Sequence, residues 1–412
     1  MNATGDQQLV KRINRSVLLR LIRSQPGLSR AQLSQLSGLT KSTVSNAVRE
    51  LLDDGWLAET SSQASSKQGR PSTPLSLSTE THVLIGVELG VGCLRLAATS
   101  LAGGVLWSLE QELLGQEPPE VCRQISRLVL QAHQEAARRG LQLVGIGVGL
   151  PGAYDVATGV LRVAPNLGWR NLPIASMLES ALSAVGLADT VLHIQNEADA
   201  AALSEYEFGD AGSTDGLIFV TCDVGVGAGI VLNDRLYPGA QGLAGEIGHS
   251  ILSRDGALCS CGRRGCAETL IGARALEREL VQRGNLNLAG EALGILLHNM
   301  WTSFNPGAFV LGGKSCVRYP ELFDLACTTL AAYAKAAGMP APTVRVARYG
   351  PFAAAAGAAA LVLHNFLRPL HAVQRGTPSA LAEADVPPAA PNKSRTKPAS
   401  RLRQVAATVA AE

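Results

Sequence analysis

The 412-residue sequence lacks any apolar run approaching the roughly 20 residues that a membrane-spanning helix requires. Hydrophobic residues make up 46% of it, but Gly, Arg or Asp break every stretch. Its first 30 residues also lack the charged, apolar and small-residue succession of a secretory signal. Cysteine is sparse: of eight, Cys93, Cys122, Cys222, Cys316 and Cys327 stand alone in sequence. That excludes a disulfide scaffold and fits reduced thiols in a cytosol, so a cytoplasmic protein without a membrane partner is expected. The length exceeds one ordinary core and suits two or three domains with accessory segments.

Charge is unevenly spread. Residues 1–50 hold eight Lys or Arg (Lys11, Arg12, Arg15, Arg20, Arg23, Arg30, Lys41, Arg49) against Asp6 and Glu50, whereas the whole chain carries only +2. A basic end beside a near-neutral body points to a polyanion. From Leu9 to Ser24, Leu9, Ile13, Val17 and Leu21 recur every four residues with Val10, Leu18 and Ile22 alongside, which predicts an amphipathic helix ended by Pro26 and Gly27. In "LSRAQLSQLSGL", Ser29 and Gln32 can form a capping box, with Leu33 and Leu36 facing inward. Gly38 supplies a turn and Thr40 caps a third helix, whose buried stripe is Val44, Ala47, Val48, Leu51 and Leu52 up to Gly55.

That stripe leaves Lys41, Ser42, Thr43, Ser45, Asn46 and Arg49 outside. Short polar and basic side chains on an exposed helix can enter a major groove and reach base edges and phosphates. "GWLAE" and "PLSLS" read as strands around a loop ending "QGRPS", a wing that offers Arg70 to a phosphate or the minor groove. The same pattern also admits a three-helix module without a DNA role.

From His82 onward, "VLIGVELGVGCLRLAATSLAGGVLWSLE" reads as strand, glycine loop, strand, tight turn and strand, and Val121 to Arg139 as a helix. "GLIFVTCDVGVGAGIVLND" repeats the opening idea about 130 residues later, which implies a duplicated α/β unit with loops facing across a cleft. The glycines of these loops, Gly90 and Gly92 in the first and Gly225 and Gly227 in the second, allow backbone N–H groups near a phosphate, although tight hairpins explain them equally. "AAAAGAAALVLHNFL" is rich in small residues and should pack closely on a sheet or hinge.

The succession "GVELGVG", "GIGVGLPGAYD", "APNLGW", "NEADAAALSE", "DVGVGAGI", "GLAGEIGH", "CSCGRRGCAE" and "NPGAFVLGG" resembles the ROK family of sugar kinases and repressors over residues 10–370. The added N-terminal module resembles that of its transcriptional branch. The resemblance implies an all-α winged helix-turn-helix (1–80) followed by a two-lobed α/β domain, actin-like and hexokinase-like, that closes on a sugar. Lobe 1 would span 81–197 with a returning helix near 352–370, and lobe 2 would span 198–351. A Pro, Ala and Ser-rich basic tail (371–412) is expected to be disordered, either solvated or adding nonspecific DNA affinity.

His249, Cys259, Cys261 and Cys266 are spaced His-x9-Cys-x-Cys-x4-Cys. Three thiolates and one imidazole form a closed tetrahedral set for a structural Zn2+, and the family's motif matches position by position. Glu246 precedes His249 by three residues, so the metal would also fix where its carboxylate points. By resemblance, Asn166, Asn196, Glu197, Glu246, His249 and Glu268 surround a monosaccharide or sugar phosphate. Asn196 and Glu197 could instead be a helix-start cap, and Glu268 a surface charge.

The family's kinases carry aspartate as base where Glu197 stands, aspartate at Glu88, threonine at Cys93 and a small polar residue at Asp223. A base displaced by about 1 Å can lose on the order of a hundredfold in rate, and an added carboxylate repels a nucleotide. The expectation is therefore vestigial phosphate loops, no enzyme activity, and a sugar-responsive repressor of carbohydrate-utilisation genes acting on operator DNA. Its two half-sites would call for a homodimer or homotetramer. The alternative is an ATP-dependent sugar kinase with an appended DNA module.

Overall fold

The computed structural model describes residues 7–59, 73–209, 216–240 and 242–369. The chain begins with α1 (Gln7–Ser24), α2 (Arg30–Ser37) and α3 (Lys41–Asp53), then the antiparallel pair β1 (Leu57–Glu59) and β2 (Leu75–Leu77). The capping box forms as the sequence implies: the Ser29 hydroxyl accepts the Gln32 N–H at 3.4 Å, and the Gln32 side chain accepts the Ser29 N–H at 2.9 Å. Gly38 ends α2 at φ +72°, a left-handed conformation that glycine adopts without a Cβ penalty. Thr40 caps α3 through the Thr43 N–H at 3.2 Å.

The expected stripes need correction at their edges. In α1 the deepest side chains are Leu18, Leu19 and Ile22, whereas Val10 is 50% exposed. Leu36, expected inside, is also 50% exposed, because the two-turn α2 reaches the small three-helix core through Leu33 alone. Leu52 is only half-buried. Arg70 and its loop, and the tail from 371, lie outside the described residues.

The body continues with β3 (His82–Leu89), β4 (Cys93–Thr99), β5 (Val105–Glu112), α4 (Pro118–Arg138) and β6 (Gln142–Leu150). A small antiparallel sheet of β7 (Ala153–Asp155), β8 (Val160–Ala164) and β9 (Trp169–Leu172) follows, then α5 (Ile174–Ser183), β10 (Leu192–Asn196) and α6 (Glu197–Glu207). The second half runs β11 (Gly216–Cys222), β12 (Val226–Leu232), β13 (Arg235–Leu236), α7 (Glu268–Ile271), α8 (Ala273–Arg283), α9 (Asn287–Phe304) and β14 (Ala308–Gly312). It ends with α10 (Lys314–Arg318), α11 (Pro320–Ala336), β15 (Thr343–Val346) and α12 (Ala353–Phe366).

Two five-stranded sheets result, ordered β10-β6-β3-β4-β5 and β13-β12-β11-β14-β15. In each, the first strand lies in the middle, the next two run antiparallel on one side, and the last two run parallel on the other. The duplication inferred from two glycine hairpins is thus a repeat of whole-sheet topology. Each sheet has its own apolar core, the first with α4 and α5, the second with α9 and α11. No helix among the described residues is long and apolar enough to cross a membrane.

The halves exchange helices. α6 leaves the last strand of the first sheet and packs on β11 and β12 of the second, while α12 leaves the last strand of the second and packs on β3 and β6 of the first. The two helices also pack on each other, and glycine makes this possible by close approach. A Cβ at Gly357 would stand 1.7 Å from the Ala200 carbonyl, one at Gly147 1.8 Å from Ala358, and one at Gly229 2.1 Å from Ala198. Gly357→Ala should therefore destabilise the fold by about 1–3 kcal/mol, the range for overpacking a tight core. A lowered urea midpoint at unchanged slope would register it.

Candidate functional site

α3 presents Lys41, Ser42, Ser45, Asn46 and Arg49 exposed and Thr43 half-exposed. The Ser42 and Thr43 hydroxyls lie 3.0 and 2.9 Å from the Thr40 hydroxyl, and Arg49 donates to Asn46 at 3.1 Å. The other cations of this end are mostly spent on internal ion pairs. Lys11 meets Glu50 at 2.9 Å, Arg15 meets Asp54 at 2.7 Å, and Arg30 meets Glu59 at 3.0 Å. Arg20 and Arg23 reach the body, meeting Asp234 at 2.9 Å and Glu207 at 2.7 Å. Arg12 on α1 and Lys41 and Arg49 on α3 are thereby left without a carboxylate partner among the described residues of this end.

In the body, Asn196 is the cap of α6. Its side-chain oxygen accepts the N–H groups of Ala198 at 2.8 Å and Asp199 at 3.3 Å, and its amide donates to the Gly152 carbonyl at 2.8 Å. The helix-cap alternative therefore describes Asn196, which keeps one amide hydrogen for a ligand. Glu197, the first residue of α6, is partly accessible. Burial first, then the fields of Glu88, Asp223 and Glu246, raise its carboxyl to about 8. Asp199, buried behind it, is also raised to about 8 by burial, against an N–H bond from Ile230.

Glu246 precedes the 3-10 turn Ile247–His249, with its carboxylate 4.0 Å from His249 Nε2. Glu268, first in α7, is half-buried between the second glycine loop and the cysteine loop. It accepts the Val226 N–H at 3.4 Å and the Ser260 hydroxyl at 3.4 Å, so the surface-charge reading fails. Asn166 is exposed on the 3-10 turn Pro165–Leu167, and no hydrogen bond ties it to the other residues among those described. A pocket of about 350 Å³ opens beside the Glu246 loop, lined in part by Ser250, Asn299, Met300 and Ser303, which sequence reasoning did not single out. A larger open groove at Glu179 and Thr190 shares no residue with this constellation.

The donor atoms of His249, Cys259, Cys261 and Cys266 lie within 4.8 Å of one another. A tetrahedral ion about 2.3 Å from sulfur and about 2.0 Å from nitrogen needs S···S edges near ~3.8 Å and S···N edges near ~3.5 Å. The Cys261–Cys266 sulfurs are 3.6 Å apart, and Cys259 Sγ lies 3.6 Å from His249 Nδ1, so the donor set fits such an ion. Gly265 makes the wrap possible at φ +72°, since a Cβ there would meet the Ser253 carbonyl at 1.5 Å. His249 thus turns Nδ1 toward the thiols and Nε2 toward Glu246. The remaining cysteines are not all solitary in space: Cys222 and Cys316 share a hydrogen bond, which together with burial pushes the Cys222 thiol up.

The glycine loops behave less simply than their composition suggests. Glu88 is buried beside Gly90, and Arg95 donates to it at 3.0 Å and to Glu110 at 2.7 Å. Burial raises the Glu88 carboxyl to about 7 against the pull of Arg95 and Lys314. The negative charge at Glu88 is therefore compensated by Arg95, seven residues along the hairpin. Asp223, whose carboxylate accepts the Val224 N–H at 3.1 Å, sits half-buried beside Gly225 and Gly227.

Comparison with known proteins agrees with this layout. The model of the ROK family matches residues 84–288, and that of the MarR family matches residues 10–68. The putative xylose repressor of Caldicellulosiruptor sp. is 31% identical over 347 residues, covering 76% of this chain and 85% of that protein. The xylose repressor of Bacillus subtilis is 30% identical over 344 residues, covering 78% of this chain and 87% of that protein. A crystal structure of a ROK family transcriptional regulator, a homolog of the E. coli MLC protein, superposes with a TM-score of 0.69 at 23% identity, covering 89% of this chain and all of that one. An N-terminal winged helix-turn-helix thus precedes an actin-like α/β domain, and the chain belongs to the ROK family.

Proposed function

We propose that the protein is a sugar-responsive transcriptional repressor of carbohydrate-utilisation genes. Sugar bound between the lobes would change the affinity of α3 for operator DNA. The observation that carries this reading is the joint presence of an exposed polar helix face and a polar cleft in a chain whose relatives are named xylose repressors. The helix exchange supports a division at 1–80, 81–197 with 352–370, and 198–351, and a homodimer or homotetramer would supply paired recognition helices.

Phosphoryl transfer is disfavoured by carboxyl placement: Glu197 stands where the family's kinases carry the shorter aspartate, and a base displaced by about 1 Å can lose on the order of a hundredfold in rate. Raised by burial to about 8, Glu197 in its neutral form can donate to a sugar hydroxyl. Glu246, His249 and Glu268 add acceptors suited to hydroxyls. Zn2+ held by His249, Cys259, Cys261 and Cys266 would supply rigidity rather than chemistry, since four protein ligands leave no open position. Lys41, Ser42, Thr43, Ser45, Asn46, Arg49 and the wing residue Arg70 would contact DNA, with Gly90, Gly92, Gly225 and Gly227 as vestigial phosphate loops.

Binding of the DNA upstream of the chain's own reading frame, measured at fixed salt with D-xylose, D-glucose, N-acetylglucosamine and their phosphates, tests the reading. A shift in DNA affinity with one of them is expected; no DNA binding together with sugar-dependent ATP turnover would overturn it. Arg49→Ala should weaken DNA binding by about 1–3 kcal/mol in fluorescence anisotropy and leave sugar affinity unchanged. Cys261→Ser should lose bound zinc, read by elemental analysis, together with the heat of sugar binding. For pH, Glu197 holds its proton in the fold up to about 8, whereas the unfolded chain releases it near the ordinary 4.5. The folded state therefore binds more protons in that window, and stability falls as pH rises through it. Glu197→Gln should flatten the decline of the urea midpoint between these pH values.

A further inference from the structure

The pocket of about 350 Å³ beside the Glu246 loop has a mixed lining. Leu243, Met300 and Phe304 give it apolar walls, and Ser250, Asn299 and Ser303 add polar groups. Asn299, Met300, Ser303 and Phe304 share one face of the last turns of α9, at helical spacings of three and four. The Asn299 side chain is exposed and makes no hydrogen bond among the described residues. The Ser303 hydroxyl donates to the Asn299 carbonyl at 2.7 Å, which leaves its lone pairs free to accept. The half-buried Phe304 ring meets the Tyr237 ring edge-on, with centroids 6.2 Å apart.

Glu246 belongs to both the pocket and the cleft. It lines the pocket, and its charge is felt by Glu197 and Asp199 in the first turn of α6. The loop that carries it is pressed onto β12: the Gly245 carbonyl accepts the Ala228 N–H at 2.8 Å, and a Cβ at Gly245 would stand 2.0 Å from the Ala228 carbonyl. Gly245 takes φ +96°, a backbone conformation that favours glycine. Asp199 lies against the same strand. It accepts the N–H of Ile230, which also lines the pocket, and its buried Oδ1 has no partner among the described residues. Buried polar atoms are normally paired, so this edge of β12 keeps an unmet polar demand where pocket and cleft meet.

Apolar walls with a few convergent polar groups suit a ring that is apolar on its faces and polar around its edge, which is the chemistry of a pyranose. The volume corresponds to roughly a dozen waters at ~30 Å³ each, enough for a whole sugar ring and more than an acetamido substituent needs. An acyl chain would leave Glu246, Asn299 and Ser303 unpaired, and an anion would face the Glu246 carboxylate.

We propose that this pocket is a subsite for a second sugar ring, so that the preferred effector is a disaccharide or longer oligosaccharide. One ring lies against Glu246 in the cleft, and the next crosses the Glu246 loop to rest among Leu243, Met300 and Phe304. This rests on the reading that the cleft binds a sugar.

The test titrates full-length wild type, Ser303→Trp and Asn299→Ala by calorimetry. The ligands are D-xylose, D-glucose and N-acetylglucosamine, and the disaccharides xylobiose, cellobiose, maltose and diacetylchitobiose. Both substituted side chains are exposed on α9, outside its apolar core contacts. In the wild type one disaccharide should bind on the order of tenfold more tightly than its own monosaccharide, the gain from one or two added hydrogen bonds. Ser303→Trp fills the pocket and should bring that disaccharide down to the monosaccharide level, with monosaccharide affinity unchanged within about twofold. Asn299→Ala should weaken the disaccharide alone by about 2–10-fold, the range for one lost hydrogen bond. A disaccharide preference that survives Ser303→Trp overturns the proposal. Should the tryptophan variant not fold, undiminished disaccharide affinity in Asn299→Ala overturns it. A change of molecular mass in light scattering of Ser303→Trp, with the preference intact, makes the pocket a contact between copies and equally overturns it. Monosaccharide binding without any disaccharide preference in the wild type overturns the subsite and leaves the sugar cleft standing, whereas no heat with any of these sugars sinks the reading of the cleft itself.

Discussion

The rest of the structure depends on one steric constraint: two helices, each belonging by sequence to one half and by packing to the other, lie backbone against backbone. Gly357 over the Ala200 carbonyl leaves no room even for a methyl group. Such contact is smooth in cross-section, because α12 is almost entirely alanine over its first half and α6 is built on Ala198, Ala200, Ala201 and Ala202. Small side chains let the two backbones approach this closely, where large interdigitated ones would hold them apart. The seam and the site share α6, so Asn196 and Glu197 lie at one end of the contact.

The cleft itself concentrates acids. Glu88, Glu197, Asp199, Asp223 and Glu246 converge there, and the protein handles them in two ways. Arg95 pairs directly with Glu88, while burial pushes the Glu88, Glu197 and Asp199 carboxyls up, toward their neutral forms. Neutral carboxyl groups both donate and accept hydrogen bonds, which matches a ligand made of hydroxyls better than one made of phosphates. The cysteine loop completes the wall by presenting Glu268 to the second glycine loop and turning His249 toward Glu246.

Much of this was legible in the sequence wherever the determinant is local. The Ser29–Gln32 box, the Gly38 stop, the Thr40 cap, both glycine hairpins and the four metal-type ligands depend on residues close together in the chain. What escaped is set by distance or by packing depth. The Glu88–Arg95 pair requires knowing the β3–β4 register, and Arg23 finds Glu207 across 184 positions. Leu36 has the helical spacing of a core residue but sits on a module too small to bury it. Asn196 was read as a sugar ligand with a cap as alternative, and its oxygen is committed to the helix start.

The pairing of cations in the N-terminal module has a thermodynamic corollary. Lys11, Arg15, Arg20, Arg23 and Arg30 are already matched by carboxylates, which leaves Arg12, Lys41 and Arg49 as the module's main uncommitted charges among the described residues. Few phosphates can then be neutralised per subunit, and few condensed counterions are set free on complex formation. Were this face to meet a duplex, its described residues would draw a smaller share of affinity from phosphates and a larger one from fit to the bases.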